Sequence, residues 1–163
     1  MISSERGDRL AEESIADQVA QGLVERELKL GTVECGEGGI VSRRLFNAEE
    51  GVNALGNSLI LDDVEEAVGL MALPRPQLKK AGTFSAKAAR AAAREGRSFL
   101  GVNICVAVWA KRPITEEERQ TVYVALNTGR DVIDASYDVG GQTGRDADWL
   151  ADRALEMALQ ALS

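Results

Sequence analysis

The segment Gly101-Val-Asn-Ile-Cys-Val-Ala-Val-Trp109 constrains the fold more than any other stretch of the chain. It is almost continuously apolar and rich in β-branched residues, the pattern of a strand covered on both faces. Such a strand needs neighbours in a sheet and a layer of helices above and below it. Cys105, inside the run, is therefore expected in the core.

The flanking sequence supplies those layers. Ile15, Val19, Leu23 and Val24 recur at helical spacing and predict an amphipathic helix from about Asp8 to Leu28. Lys29 to Glu34 reads as a short strand that enters the turn Cys35-Gly36-Glu37-Gly38-Gly39, and Ile40, Val41, Leu45 and Phe46 resume a helical pattern. Gly51 to Gly56 reads as a loop and Asn57 to Leu61 as a strand. Asp62 is placed to cap a helix through Val64, Ala67, Val68 and Met71. Pro74-Arg75-Pro76 excludes regular structure, and Ser85 caps an alanine-rich helix from Ala86 to Arg94 that ends at Glu95-Gly96.

Beyond the central strand, a loop from Ala110 to Arg119 leads into Gln120 to Leu126. Asn127-Thr128-Gly129 then turns the chain into Val132 to Tyr137, a hairpin. After Gly140-Gly141-Gln142-Thr143-Gly144, apolar residues at Leu150, Ala154, Met157, Ala158 and Ala161 mark a last helix from about Asp146 to Leu162. Helices alternating with strands around one hairpin give the α/β class: a three-layer α/β/α sandwich with a mixed sheet. At 163 residues, with neither linker nor internal repeat, the chain is expected to be one domain over residues 1–163.

Composition removes several functions. A net charge of -7, with basic residues only in scattered pairs (Arg43-Arg44, Lys79-Lys80, Lys111-Arg112), opposes nucleic-acid binding. No apolar run has the length of a membrane span, and the polar start Met1-Ile2-Ser3-Ser4-Glu5-Arg6 lacks the apolar stretch of a signal peptide, so a cytoplasmic location is expected. There is no histidine, which removes Ser-His and Cys-His catalysis and most zinc chemistry. Cys35 and Cys105 form no CxxC motif and no disulfide framework. Neither a metal nor a cofactor is expected.

The turn from Glu34 to Gly39 is the main candidate site. Free N–H groups at a helix start can receive an anion or a developing oxyanion, with Gly36, Glu37, Gly38 and Gly39 as donors or lining residues. It lacks the GK[ST] of a Walker loop and the GxGxxG of a dinucleotide turn, and a plain tight turn stays open as a reading. Cys35 is the candidate nucleophile; the helix start would lower its pKa, whereas Glu34 and Glu37 act in the opposite sense. Trp109, Lys111 and Arg112 follow the central strand at the sheet edge where open α/β folds hold ligands, so ligand and partner contacts are both open there. Arg145, near the start of the last helix, is placed to meet a phosphate or carboxylate. Capping accounts for Asp146 and Asp148.

Leu30-Gly-Thr-Val-Glu-Cys-Gly-Glu-Gly-Gly39 resembles, without a gap, the T-x-A-E-S-C-T-G-G turn of the CinA C-terminal domain family, whose stand-alone members are nicotinamide-nucleotide amidases. Gly82-Thr-Phe-Ser85 resembles that family's G-A-V-S segment, and Gln120-Thr-Val-Tyr-Val-Ala-Leu126 its G-T-V-Y-x-A-L strand. Order and spacing match over nearly the whole chain. The resemblance implies the same α/β fold, a pyridine nucleotide as small-molecule partner, a homo-oligomer, and Cys35 at the position of the nucleophilic serine. Glu34, Gly38 and Gly39 match; Glu37 replaces a threonine. The family's V-x-Y-x-N-E-x-K segment falls on Asn57 to Glu66, which has neither Tyr nor Lys. Trp109-Ala-Lys-Arg-Pro113 replaces its T-G-I-A-G-P loop, and of its G-D-R element Asp146 matches while Arg145 lies beside the arginine position. Three readings follow: a CinA-like domain with a reshaped pocket beside Cys35 and no Ser-Lys chemistry, binding a small molecule or associating with itself or a partner; an active amidohydrolase on a pyridine nucleotide or a related amide using Cys35; or a structural interaction module with the turn sealed by its own side chains.

Overall fold

The computed structural model of the chain describes residues 13–78 and 80–163. The part of the expected first helix before Glu13, the polar N-terminal residues and Lys79 lie outside the described residues.

Five strands form one mixed sheet in the order β2-β1-β3-β4-β5. They are β1 (Leu30–Cys35), β2 (Leu55–Leu61), β3 (Ile104–Trp109), β4 (Arg119–Asn127) and β5 (Val132–Gly140). β1 runs parallel to both β2 and β3, and β4 and β5 complete an antiparallel meander. The run that predicted a central strand is β3, and every one of its residues is buried. Its pairing with β1 aligns Cys35 with Trp109, and Leu61, Tyr123 and Ser136 stand at the same level in the flanking strands. One edge of the sheet therefore carries the C-terminal ends of all three parallel strands, the usual ligand edge of an open α/β sheet.

Two apolar clusters cover the two faces. On one, α1 (Ile15–Glu25), α2 (Ile40–Phe46), the single turn α3 (Gly51–Ala54) and the last helix α7 (Ala147–Ala161) bury Val19, Leu23, Leu45, Leu150 and Leu155 against Leu30, Ile104 and Val106. On the other, α4 (Val64–Leu70), the turn α5 (Arg75–Leu78) and α6 (Ala86–Leu100) bury Val68, Ala89 and Ala92 against Val33, Cys105 and Trp109. This is the expected three-layer sandwich. The starts of α1, α4, α6 and α7 follow side-chain capping. Ser14 and Asp17 form a capping box on α1, and Ser85 accepts from Ala88 N on α6 at 3.1 Å.

Several boundaries differ from expectation. Asp63, not Asp62, caps α4, because β2 runs on to Leu61, whose carbonyl accepts from Gly36 N. α6 passes through Glu95-Gly96 to Leu100 and stops at Gly101, which adopts φ 67°. Gly96 is inside the helix because a Cβ there would lie 2.6 Å from Cys105 Sγ, so this glycine sets how closely α6 meets the sheet. The central strand accordingly starts at Ile104. Pro74-Arg75-Pro76 does not exclude a helix: Pro76 lies in the first turn of α5, where the missing N–H has no partner to lose. Gly51 to Ala54 is helical, β2 begins at Leu55, and β5 continues past Tyr137 to Gly140. Among the described residues, no helix is long and apolar enough to cross a membrane.

Candidate functional site

The turn between β1 and α2 is closed by the chain's own carboxylates. Glu34 is fully buried and accepts from Val41 N at 2.7 Å, Ser42 N at 3.1 Å and the Thr32 hydroxyl at 2.8 Å. Glu37 is also buried and accepts from Gly39 N and Ile40 N, each at 3.0 Å. Four successive N–H groups at the start of α2, the donors that suggested an anion site, are thus occupied. The reason is local: the left-handed turn at Gly38 and Gly39 (φ 81° for both) brings the Glu37 side chain back over the helix start. Gly36 N, a further candidate oxyanion donor, is bonded to Leu61 O at 2.9 Å. Within the turn only Gly38 is exposed.

Two carboxylates in one buried turn cannot both carry charge cheaply. Burial first, then the neighbouring Glu34 charge, push the Glu37 carboxyl up to about 8, while its bonds from Gly39 and Ile40 act the other way. Near neutral pH Glu37 is held as the acid, hydrogen-bonded to Glu34.

Cys35 has no solvent-exposed surface, and its side chain joins the apolar cluster under α4 and α6. Burial pushes its thiol up to about 12, and the charges acting on it, Glu37, Asp63, Glu34 and Glu66, are all acidic and raise it further. At neutral pH the thiol therefore stays protonated. The depression expected from a helix start is absent because the helix N–H groups are already neutralised.

The segment after β3 covers the turn. Ala110 N donates to Cys35 O at 2.9 Å, and a Cβ on Gly36 would overlap the Ala110 carbonyl. Gln120 holds this segment from β4, accepting from Lys111 N and donating to Arg112 O. Trp109 is not available to a ligand: it is completely buried and its indole N–H donates to Thr83 O at 2.8 Å. Its alternation in β3 points the ring under α6 rather than over the sheet edge. Lys111 is exposed, with its ammonium 4.9 Å above the Phe84 ring.

Arg145 is brought to a different place. Between the strand of Cys35 and β5 lie β3 and β4, a separation of about 14 Å at ordinary strand spacing. Asp146 caps α7 through Trp149 N at 2.8 Å, so the helix start is self-capped there too. The Arg145 guanidinium lies 4.6 Å over the Trp149 ring and opens onto a cavity of about 440 Å³. Glu116, Gly140, Gln142 and Asp146 also line it. Sequence reasoning missed Gln120 and Thr83 as the residues that seal the turn and fix Trp109; single polar residues in a strand and a loop carry no periodic signal.

The comparisons with known proteins agree with this architecture. The family model of the CinA C-terminal domain matches residues 12–162. Similar solved structures include a competence or damage-inducible protein from Enterobacter asburiae, 18% identical, with a TM-score of 0.77 and coverage of 91% of this chain and 96% of that one. A competence/damage inducible protein from Agrobacterium tumefaciens is 17% identical, with a TM-score of 0.75 and coverage of 91% and 94%. A CinA superfamily protein from Escherichia coli is 19% identical, with a TM-score of 0.69 and coverage of 92% and 87%. No curated protein sequence matches the chain. With the family model spanning the sheet, both helical layers and the turn at Cys35, the chain belongs to the CinA C-terminal domain family.

Proposed function

We propose that this chain is a CinA-like domain without amidase chemistry, which keeps the family's nucleophile turn as a structural element and takes a small molecule in the cavity beside Arg145. The observation that carries the reading is the occupation of the α2 N–H groups by Glu34 and Glu37 above a buried Cys35. An acyl-transfer site needs an accessible nucleophile and donors free to meet an oxyanion. Here both are committed to the fold.

The cavity is lined by charges of both signs, Arg145 with Glu116 and Asp146. A pyridine mononucleotide, with a cationic ring and an anionic phosphate, carries the matching pair. The test is calorimetric titration with nicotinamide mononucleotide, together with an ammonia assay. Binding that is lost in Arg145→Ala and kept in Cys35→Ala, without ammonia release, is expected. Ammonia release abolished by Cys35→Ala would overturn the reading in favour of a cysteine amidohydrolase. The sealed turn also favours a second reading, a domain that acts through association alone; absence of any titration heat would select it. Assembly with further copies belongs to either reading.

A further inference from the structure

The two edges of the sheet are treated differently. On β5, Asp134 is paired with Arg90 and Asp138 with Arg119, so charge interrupts that edge. β2, Leu55-Gly-Asn-Ser-Leu-Ile-Leu61, has no charged residue and no proline along its length. An unprotected edge with free N–H and C=O groups is a template for another strand. It is apolar as well: Ile60 is 48% exposed and Phe46, at the end of α2, 52%, and both line an open groove with Arg43, Leu55 and Ser58. In a chain of net charge -7, an uncharged strip of this kind is a distinct surface.

We propose that β2 is a self-association edge, where two copies of this chain pair β2 with β2 antiparallel about a two-fold axis at Ser58 to form one continuous ten-stranded sheet. Charge complementarity selects a second copy. Exposed Lys29 lies at the N-terminal end of β2, its ammonium on the Asn53 carbonyl, while exposed Asp62 and Asp63 follow its C-terminal end. Antiparallel pairing about Ser58 sets Asp62 and Asp63 opposite Ala54 and Asn53 of the other copy, beside that copy's Lys29, and does so at both ends. A self-complementary patch is what two-fold symmetry requires.

The axis residue fits too. The Ser58 hydroxyl has no hydrogen-bond partner among the described residues, and turning outward to the strand edge it would meet Ser58 of the other copy. Strand pairing over seven residues spans roughly 23 Å, and Phe46 and Ile60 of both copies extend the contact into the grooves. Arg43 of each copy comes near the axis as an exposed like-charge pair that salt screens. This surface lies across the sheet from Arg145 and stands independently of the ligand reading.

Sedimentation velocity on the full chain over a range of about 5 to 500 μM tests it, with thermal melts of each variant as the control for folding. A dimer is expected whose dissociation constant rises at least tenfold in Ile60→Asp and, separately, in Phe46→Asp, with Arg145→Ala unchanged. Lys29→Glu alone and Asp62→Lys alone should each weaken it about tenfold, and the two together should restore it, Asp63 being left in place as the cap of α4. A wild-type monomer at every concentration, which would leave β2 to the strand of a different protein, overturns the proposal. So does a dimer indifferent to Ile60→Asp, or a charge exchange that fails to restore association.

Discussion

Glu37 makes stability depend on pH in a window where this chain has almost nothing else to titrate. Its carboxyl is raised from 4.5 to about 8 by burial and by Glu34. The folded state therefore holds a proton that the unfolded state releases, and the contribution is complete below the unfolded value and lost as pH rises through the folded one. The full displacement corresponds to about 5 kcal/mol. Integrated from pH 6 to pH 8, above the isoelectric point near 4.8, stability falls by about 2 kcal/mol. The absence of histidine makes the window clean. Both cysteines, pushed up to about 12, begin to matter only above the ordinary thiol range.

Urea unfolding at pH 6, 7 and 8, followed by circular dichroism, reads this directly. In Glu37→Gln the fall between pH 6 and 8 should vanish, because no proton is left to lose. Glu34→Gln removes the second cause of the raised value, so the fall should begin at lower pH and be smaller. A wild-type protein equally stable at pH 6 and 8, or a Glu37→Gln protein with the wild-type slope, would refute the protonated-turn account.

Other consequences of the sealed turn can be measured separately. Cys35 and Cys105 should resist iodoacetamide at pH 7.5 in the folded protein and both react in urea; rapid alkylation of native Cys35, read by mass spectrometry, would contradict its burial. Gly36→Ala should destabilise by about 3 kcal/mol, from a φ of 84° combined with overlap on the Ala110 carbonyl, and a wild-type melting curve would mean that the 110–112 segment moves away freely. Ser85→Ala should lower stability by about 1 kcal/mol in denaturant melts through loss of the cap on α6, and Ser85→Asp should recover most of it.

How far the sequence determines the fold can be judged element by element. β3 was legible because a strand buried on both faces needs an unbroken apolar run, and α7 because a 3.6-residue stripe persists over its 15 residues. α6 was legible at its start, where Ser85 advertises a cap, and not at its end. Gly96 looks like a helix stop in one dimension; its reason is Cys105 and Val33 packed against it, a contact visible only in three. α5 was missed for the opposite reason, since Pro76 in a first turn obeys a positional rule that the dipeptide pattern hides.

The candidate site was legible in position, while its state was left open between an anion turn and a turn sealed by its own side chains, and two residues decide the difference. Sequence placed an acidic pair around a glycine-rich helix start and left both free and sealed N–H groups as readings. It could not show that Glu37, two residues before Gly39, has the reach and the left-handed backbone to bond Gly39 N and Ile40 N, while Glu34 crosses to Val41 N and Ser42 N. That arrangement bears on chemistry more directly than the absence of a lysine. A thiol at a helix start is activated by the uncompensated N–H dipoles, and two carboxylates placed on those dipoles cancel the field and then add their own repulsion of the thiolate. Returning a lysine to the segment Asn57 to Glu66 would therefore not restore a nucleophile at Cys35 while Glu37 remains. Replacing Glu37 with a neutral residue would free only the Gly39 and Ile40 N–H groups, and because burial is the first cause of the raised value, the Cys35 thiol should fall only part of the way from about 12, as a titration of iodoacetamide reactivity against pH would detect.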